Sequence, residues 1–135
     1  MTSERRDSGL LDTCVLIDFD EIPDHQLPAV PKVSTVTLAE LGLGVASARD
    51  ATVRLLRTER LQEFESSFDA LPFTADAARR FTLMASLITV GGRSPKPRKF
   101  DLMIGAIASI HGLPLYTRNP KDFLGLEQVL TVVSV

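Results

Sequence analysis

Near its start the chain reads Gly9-Leu10-Leu11-Asp12-Thr13-Cys14-Val15-Leu16-Ile17. The first three of these residues predict a short strand that ends at Asp12, and residues 13–19 predict a helix. Asp12 or Thr13 is expected to cap that helix, because a side-chain oxygen at the cap accepts a hydrogen bond from a free backbone N–H group of the first turn. The stretch therefore predicts a strand that passes directly into a helix, with a carboxylate at the junction.

The same alternation continues along the chain. Short apolar or β-branched segments predict strands at 33–36, 71–73, 113–117 and 129–133. Periodic apolar patterns between them predict helices that begin at a capping box at 37–40, at Asp50, at Thr74 and at Phe100. Three prolines between residues 20 and 32 predict a loop with at most one helical turn. We therefore expect a single three-layer α/β domain over 10–135, with a short parallel sheet of four to five strands, after a flexible lead-in over 1–9.

Composition excludes several classes of protein. The 135 residues are 44% hydrophobic and carry a formal net charge of −2, which excludes a disordered charged tail and argues against a binder of nucleic acid by bulk charge. The single cysteine, Cys14, cannot form an internal disulfide and reads as a small buried apolar residue. No stretch approaches the ~20 apolar residues of a membrane span. The first nine residues lack the apolar segment of a signal peptide, so a cytoplasmic protein without membrane contact is expected.

Carboxylates follow the predicted strands and begin the predicted helices. They are Asp12, Glu40, Asp101 and Asp122, joined by the amide of Asn119. Ligands of parallel α/β sheets bind beyond the carboxyl ends of the strands, where these groups could converge. Converging carboxylates repel one another unless a cation neutralises them, and oxygen ligands without His or Cys select Mg²⁺ or Mn²⁺. Taken singly, each acid also has a structural reading, as a helix cap, a capping-box partner, a dipole complement or a solvated turn residue.

A basic segment lies next to these acids. Between residues 93 and 122 there are six basic residues and two acids; the basic residues are Arg93, Lys96, Arg98, Lys99, Arg118 and Lys121. This pattern is typical either of a solvated surface loop or of a track for nucleic-acid phosphates beside a metal site. The chain has no Trp and one Tyr, which argues against extensive base stacking.

Four segments in this order resemble the motifs of the PIN-domain family, and within it the VapC-type toxins of bacterial toxin–antitoxin pairs. They are 10–17 (Leu-Leu-Asp-Thr-Cys-Val-Leu-Ile), 37–41 (Thr-Leu-Ala-Glu-Leu), 100–106 (Phe-Asp-Leu-Met-Ile-Gly-Ala) and 116–123 (Tyr-Thr-Arg-Asn-Pro-Lys-Asp-Phe). Each motif alone is weak, and four in the right order and spacing are specific. The resemblance covers residues 10–135.

The resemblance implies a Mg²⁺- or Mn²⁺-dependent endoribonuclease that is neutralised by a VapB-type antitoxin. It also implies a homodimer that contacts operator DNA only through the antitoxin. The family's acidic positions map to Asp12, Glu40 and Asp101, with Asp12 and Asp101 as metal ligands. The fourth position falls on Asn119, an amide without charge.

Further residues have supporting or RNA-binding roles in this hypothesis, the hydroxyls from the resemblance and the cations from the basic segment. Supporting hydroxyls map to Thr13 and Thr117, and Asp122 is a candidate to replace the missing fourth acid. The candidates for the RNA backbone are Arg93, Lys96, Arg98, Lys99 and Arg118.

Two alternatives remain open from the sequence. One is a receiver-like phosphoacceptor, which also gathers acids and Mg²⁺ at the edge of a sheet. It would require adjacent acids near the first strand, and Asp12 has no acidic neighbour. The other is a catalytically inactive PIN-fold module that binds RNA or the antitoxin, which the uncharged Asn119 supports.

Overall fold

The structure, a computed structural model, describes residues 7–135. Its strands are β1 (Ser8–Leu11), β2 (Val30–Ser34), β3 (Ala70–Leu71), β4 (Leu115–Thr117) and β5 (Val132–Ser134). Its helices are α1 (Thr13–Ile17), α2 (Thr35–Ala46), α3 (Ala51–Ser67), α4 (Ala75–Val90) and α5 (Lys99–Ile110). Short 3₁₀ turns lie at Phe19–Glu21, Asp24–Gln26, Lys96–Arg98 and Pro120–Phe123.

The strands form one parallel sheet in the order β3-β2-β1-β4-β5, which confirms the predicted architecture. The chain starts in the central strand, builds outward to β3 and then crosses to the other side of β1. Such a reversal opens a crevice at the carboxyl ends of the two strands that flank it, here β1 and β4. Leu11 pairs with Tyr116, so the next residues, Asp12 and Thr117, lie side by side at that crevice.

The sheet carries a hydrophobic core on each face. Neighbouring residues of a strand point to opposite faces. Leu10 and Leu115 accordingly pack with α4 and α5, whereas Leu11 and Tyr116 pack with α1 and with Phe64 of α3. The two cores create the predicted three layers, and residues of β1 and β4 pack into both of them.

Several helix ends lie where the sequence predicts them. Asp12, Asp50 and Thr74 cap α1, α3 and α4, each with its side-chain oxygen accepting a backbone N–H bond. Gly91 ends α4, and Gly92 follows it with φ +86°, a conformation that favours glycine. Asp12 therefore has a structural role as a cap before any chemistry is considered.

The predicted start of α2 is wrong by about one turn. The N-cap is Ser34, whose Oγ accepts the N–H of Thr37 at 3.0 Å, and the helix begins at Thr35. The β-branched pair Thr35 and Val36 favours a strand by propensity, but burial of Val36 in the core and the serine cap override that preference. The predicted capping box is therefore absent, and the carboxylate of Glu40 is left for another partner.

The strand before α2 begins earlier than predicted and contains a proline. Val30 donates its N–H to Asp7 O on the β1 side, and Val33 donates to Asp69 O on the β3 side. Because N–H groups alternate along a strand, position 31 faces the side where β3 has not yet begun. Pro31 therefore removes no hydrogen bond, as at an edge strand. The loop before β2 contains two 3₁₀ turns, one more than predicted.

The first strand begins one residue earlier than predicted. β1 begins at Ser8 instead of Gly9, and residues 1–6 of the predicted lead-in lie outside the described residues, so the domain boundary at residue 10 stays a prediction. Within residues 7–135, no helix has both the length and the apolar character needed to cross a membrane.

Candidate active site

Asp12 lies at the junction of β1 and α1 and is only 4% exposed. Its Oδ2 accepts hydrogen bonds from Thr117 Oγ1 at 2.8 Å and from Cys14 Sγ at 3.6 Å, and its Oδ1 accepts from Thr13 N at 3.0 Å. Burial raises the pKa of the Asp12 carboxyl, and these hydrogen bonds oppose that rise because they favour the charged form. The sheet edge thus holds a carboxylate in a single orientation.

Glu40 reaches the same place from α2. Its Oε1 accepts a hydrogen bond from Thr13 Oγ1 at 2.8 Å. Burial raises the pKa of Glu40, the bond from Thr13 lowers it, and the negative charge of Asp12 raises it further. The carboxylates of Glu40 and Asp12 are therefore close enough to repel each other, although 28 positions separate them in the sequence.

Asp101 completes the acidic group from the first turn of α5. Burial, together with the negative charges of Asp12, Asp122 and Glu40, raises the pKa of Asp101 to about 7, while Arg98 lowers it. Four predicted acids from four separate segments therefore act on one another at a single edge of the sheet. A carboxyl that keeps its proton near neutrality in such a cleft is typical of a functional site.

Asn119 lies beside this group, in the turn that follows β4. Its backbone N–H donates to Thr117 Oγ1 at 3.0 Å, and its Nδ2 is 3.8 Å from Cys14 Sγ. Thr117 therefore accepts from Asn119 while it donates to Asp12. The amide adds a polar group next to the carboxylates without adding negative charge.

Two of the predicted RNA-binding arginines are engaged within the protein. Arg93 donates to the carbonyl oxygens of Lys121 and Leu124, at 3.2 Å each, and so ties the end of α4 to the Pro120–Phe123 turn. Arg118 pairs with Asp18 at 2.9 Å. These contacts give both side chains a structural role at the rim of the site.

The remaining basic candidates differ in whether they form an ion pair within the protein. Arg98 Nε lies 3.4 Å from Asp122 Oδ1, which places this cation beside the acidic group. Lys99 Nζ lies 5.6 Å from the Phe100 ring centroid. Within residues 7–135, neither Lys96 nor Lys99 forms an ion pair, so both ammonium groups are available to an anionic ligand.

A groove beside Glu40 was missed by sequence reasoning. A cavity of about 560 Å³ runs between α2 and α3 and is lined by Thr13, Glu40, Phe64 and two arginines of α3, Arg57 and Arg60, among others. The Arg60 guanidinium lies 4.7 Å above the Phe64 ring. The charged face of α3 looks in sequence like any solvated helix surface, so nothing there indicates that it borders the acidic group.

Three further polar groups at the site were also missed. Ser34 and Thr37 are fully buried and are linked by hydrogen bonds to Thr13. Cys14 was read as a buried apolar residue, yet it is half-buried and donates to Asp12. Burial and the charge of Asp12 raise the pKa of the Cys14 thiol, which keeps it protonated as a donor. The serine–threonine spacing at the start of α2 is a cap signal that could have revealed the first pair.

The donor set suits a hard divalent cation that retains water. Among the described residues, no three Asp, Glu, His or Cys side chains lie close enough to enclose a metal ion. Electrostatic repulsion reaches further than coordination bonds, so the acids interact without forming a closed cage. Mg²⁺ commonly binds through one or two carboxylates and keeps several waters, and the uncompensated charge around Asp101 is what such an ion would neutralise.

Comparison with known proteins identifies the family. No protein-family model matches the chain. It is 31% identical over 128 residues to ribonuclease VapC5 of Mycobacterium tuberculosis, covering 93% of this chain and 92% of the relative. It is 30% identical over 109 residues to ribonuclease VapC1 of Rickettsia felis, covering 76% of each.

A solved structure supports the same assignment. It is VapBC-5 of M. tuberculosis, described as a member of the VapBC family of toxin–antitoxin systems, which superposes with a TM-score of 0.82 at 30% identity. The match covers 96% of this chain and 99% of that one. With its central parallel sheet and its acidic edge, the chain belongs to the VapC family of PIN-domain toxins.

Proposed function

We propose that the protein is the toxin of a toxin–antitoxin pair, an endoribonuclease that hydrolyses RNA phosphodiester bonds with the help of Mg²⁺ or Mn²⁺. The observation that carries the proposal is the convergence of Asp12, Glu40 and Asp101 from three separate elements on the crevice beside β1 and β4. The relatives named ribonuclease VapC5 and VapC1 support the activity. They lend no support to a receiver-like phosphoacceptor.

The side chains divide the work by position. Asp12 and Asp101 would hold the cation, and Glu40 would orient it or accept a proton from the attacking water. A bound Mg²⁺ or Mn²⁺ supplies Lewis acidity, which makes water more acidic and stabilises the charge that develops on the phosphate. Thr117 holds Asp12 in place, and Asn119 adds a neutral polar group to the site.

Supporting roles fall to residues at the rim of the site. Thr13 orients Glu40, and Asp122 pairs with Arg98 beside the acids. Lys96 and Lys99 are the cations best placed to bind RNA phosphates, since they form no ion pair within residues 7–135. The predicted RNA-binding arginines, Arg93, Arg98 and Arg118, would also contact RNA at the rim of the site, where their contacts within the protein hold them in position.

The partners follow from the family. A VapB-type antitoxin would neutralise the toxin, in keeping with the toxin–antitoxin system to which VapBC-5 belongs. A homodimer, contact with operator DNA through the antitoxin alone, and a cytoplasmic setting complete the proposal.

The experiment that tests the activity is cleavage of a quenched fluorescent RNA by the purified protein. Cleavage is expected with Mg²⁺ or Mn²⁺ and is expected to be lost with EDTA and in Asp101→Asn. Asp76→Asn is the matched control, because Asp76 also lies in the first turn of a helix but is exposed, pairs with Arg79 and is not among the charges that act on Asp101.

The same assay distinguishes the alternative. A catalytically inactive PIN-fold module that binds RNA or the antitoxin would retard the RNA on a gel and yield no product under any metal condition. Full cleavage by a folded Asp101→Asn variant would show that the acidic group is not the catalytic site.

A further inference from the structure

A chain of hydroxyl groups leads from the start of α2 to the carboxylate of Glu40. Ser34 Oγ donates to Thr37 Oγ1 at 3.3 Å, Thr37 Oγ1 lies 2.9 Å from Thr13 Oγ1, and Thr13 Oγ1 donates to Glu40 Oε1 at 2.8 Å. Ser34 and Thr37 are both 0% exposed, so neither hydroxyl can exchange its partner for water. The segment 34–37 thus connects a helix cap to the acidic group.

The direction of every bond in this chain is determined by its end. An ionised carboxylate only accepts, so Thr13 must give its single hydroxyl proton to Glu40. Thr37 must then be the donor in the hydrogen bond between the two threonines, and its hydroxyl has no second proton to donate. Thr37 can therefore only accept from Ser34, which is the direction observed. All three protons point along the chain toward Glu40.

We propose that Thr37 is a positioning residue for the ribonuclease reaction. It donates to Thr13, so the Thr13 hydroxyl is held by two hydrogen bonds with its own proton directed to Glu40, and this keeps Oε1 of Glu40 in place. The second oxygen, Oε2, accepts no hydrogen bond from the described residues, so the bond to Oε1 is what holds the carboxylate of Glu40 in place. The inference rests on the proposed function, in which Glu40 orients the cation or accepts a proton.

The expected effect follows from the loss of a single donor. Thr37→Val keeps the shape of the side chain but removes the hydrogen bond that Thr37 donates to Thr13 Oγ1. The side chain of Thr13 can then rotate, because that bond no longer holds its hydroxyl. One hydrogen bond in such a chain corresponds to a loss of about 3- to 10-fold in kcat. The KM for RNA should stay unchanged, since Thr37 is buried and cannot touch the substrate.

Three variants test the assignment. Thr37→Val should lower kcat without changing KM, and should also lose some thermal stability because the buried Ser34 hydroxyl loses its acceptor. Thr37→Ser should restore both, because serine keeps the donor and the acceptor. Thr35→Val is the matched control: Thr35 lies in the same first turn of α2, but its Oγ1 accepts from the N–H of Phe73, away from the acids. It should lose some thermal stability and keep the kcat of the wild type.

A second measurement is independent of both metal and activity. In a crystal structure of metal-free Thr37→Val, the distance from Thr13 Oγ1 to Glu40 Oε1 should exceed about 3.5 Å, beyond hydrogen-bond range. In Thr37→Ser it should stay within that range. Wild-type kcat in Thr37→Val, or an unchanged Thr13–Glu40 bond in its crystal structure, would overturn the proposal. Absence of cleavage by the wild type would refute the ribonuclease and leave the crystal structures to decide the role of Thr37.

Discussion

Replacing Asp101 by Asn should stabilise the metal-free protein while it abolishes cleavage. Burial and the charges of Asp12, Asp122 and Glu40 raise the pKa of Asp101 to about 7 from its ordinary value of 3.8. Between these two values the folded state keeps a proton that the unfolded state has lost. The free energy of unfolding therefore falls as pH rises from about 4 to 7, and stays lower above pH 7.

The magnitude follows from that difference in pKa. Without screening it corresponds to about 4 kcal/mol, since one pKa unit is worth about 1.4 kcal/mol. Asp101 is half-buried and water screens its neighbours, which reduces the expected value to about 1–2 kcal/mol. An asparagine resembles the protonated acid, so Asp101→Asn should be more stable than the wild type at pH 8. For a domain of this size, that means a Tm higher by about 3–8 °C.

Thermal unfolding in EDTA at pH 5 and pH 8 measures the effect. At pH 5 the folded wild type still holds its proton at this position, but the unfolded chain is already mostly ionised, so the variant should keep a smaller part of its advantage than at pH 8. Adding Mg²⁺ at pH 8 should raise the Tm of the wild type more than that of the variant, because a ligand stabilises only the state that binds it. The control Asp76→Asn should change the Tm by the same amount at pH 5 and at pH 8. A destabilised Asp101→Asn at pH 8, or the same gain at both pH values, would show that the Asp101 carboxyl does not hold its proton in the folded state.

Three further predictions concern packing, cation contacts and the orientation of the site. A Cβ on Gly9 would overlap the buried tyrosine ring of β4, so Gly9→Ala should lower the free energy of unfolding in urea by about 1–3 kcal/mol. The control Gly42→Ala, whose added Cβ meets nothing, should raise it by about 0.5–1 kcal/mol. The double variant Lys96→Gln, Lys99→Gln should raise the KM for RNA and flatten its salt dependence without a change in Tm, because these lysines form no ion pair in the described chain; an unchanged KM would contradict this. Thr117→Val should lower kcat about 10-fold, because the aspartate after β1 loses its hydroxyl donor; wild-type kcat would show that this bond is dispensable.

Local signals predicted most of the fold. Asp12, Asp50 and Thr74 were recognisable as helix caps because a cap bonds to a backbone group only one to three residues away. The error at α2 has the same origin: Thr35 and Val36 carry a strand propensity that burial reverses, and propensity does not report burial. Pro31 was expected to exclude a strand, and only the late start of its neighbour β3 makes the strand possible there.

By itself, the sequence determined the alternation of strands and helices, and hence which acids would lie at the carboxyl edge of a parallel sheet. Such alternation is periodic and local, and the rule for ligand sites in these sheets then converts it into a location. Only the tertiary structure determined which side chains form hydrogen bonds with one another at that edge. The bonds of Glu40 to Thr13, of Thr13 to Thr37 and of Thr117 to Asp12 cross 24 to 105 positions of the chain. The periodic pattern of apolar residues does not reveal the hydrogen-bond partner of a serine or threonine. That partner is known only once packing has brought the two side chains together.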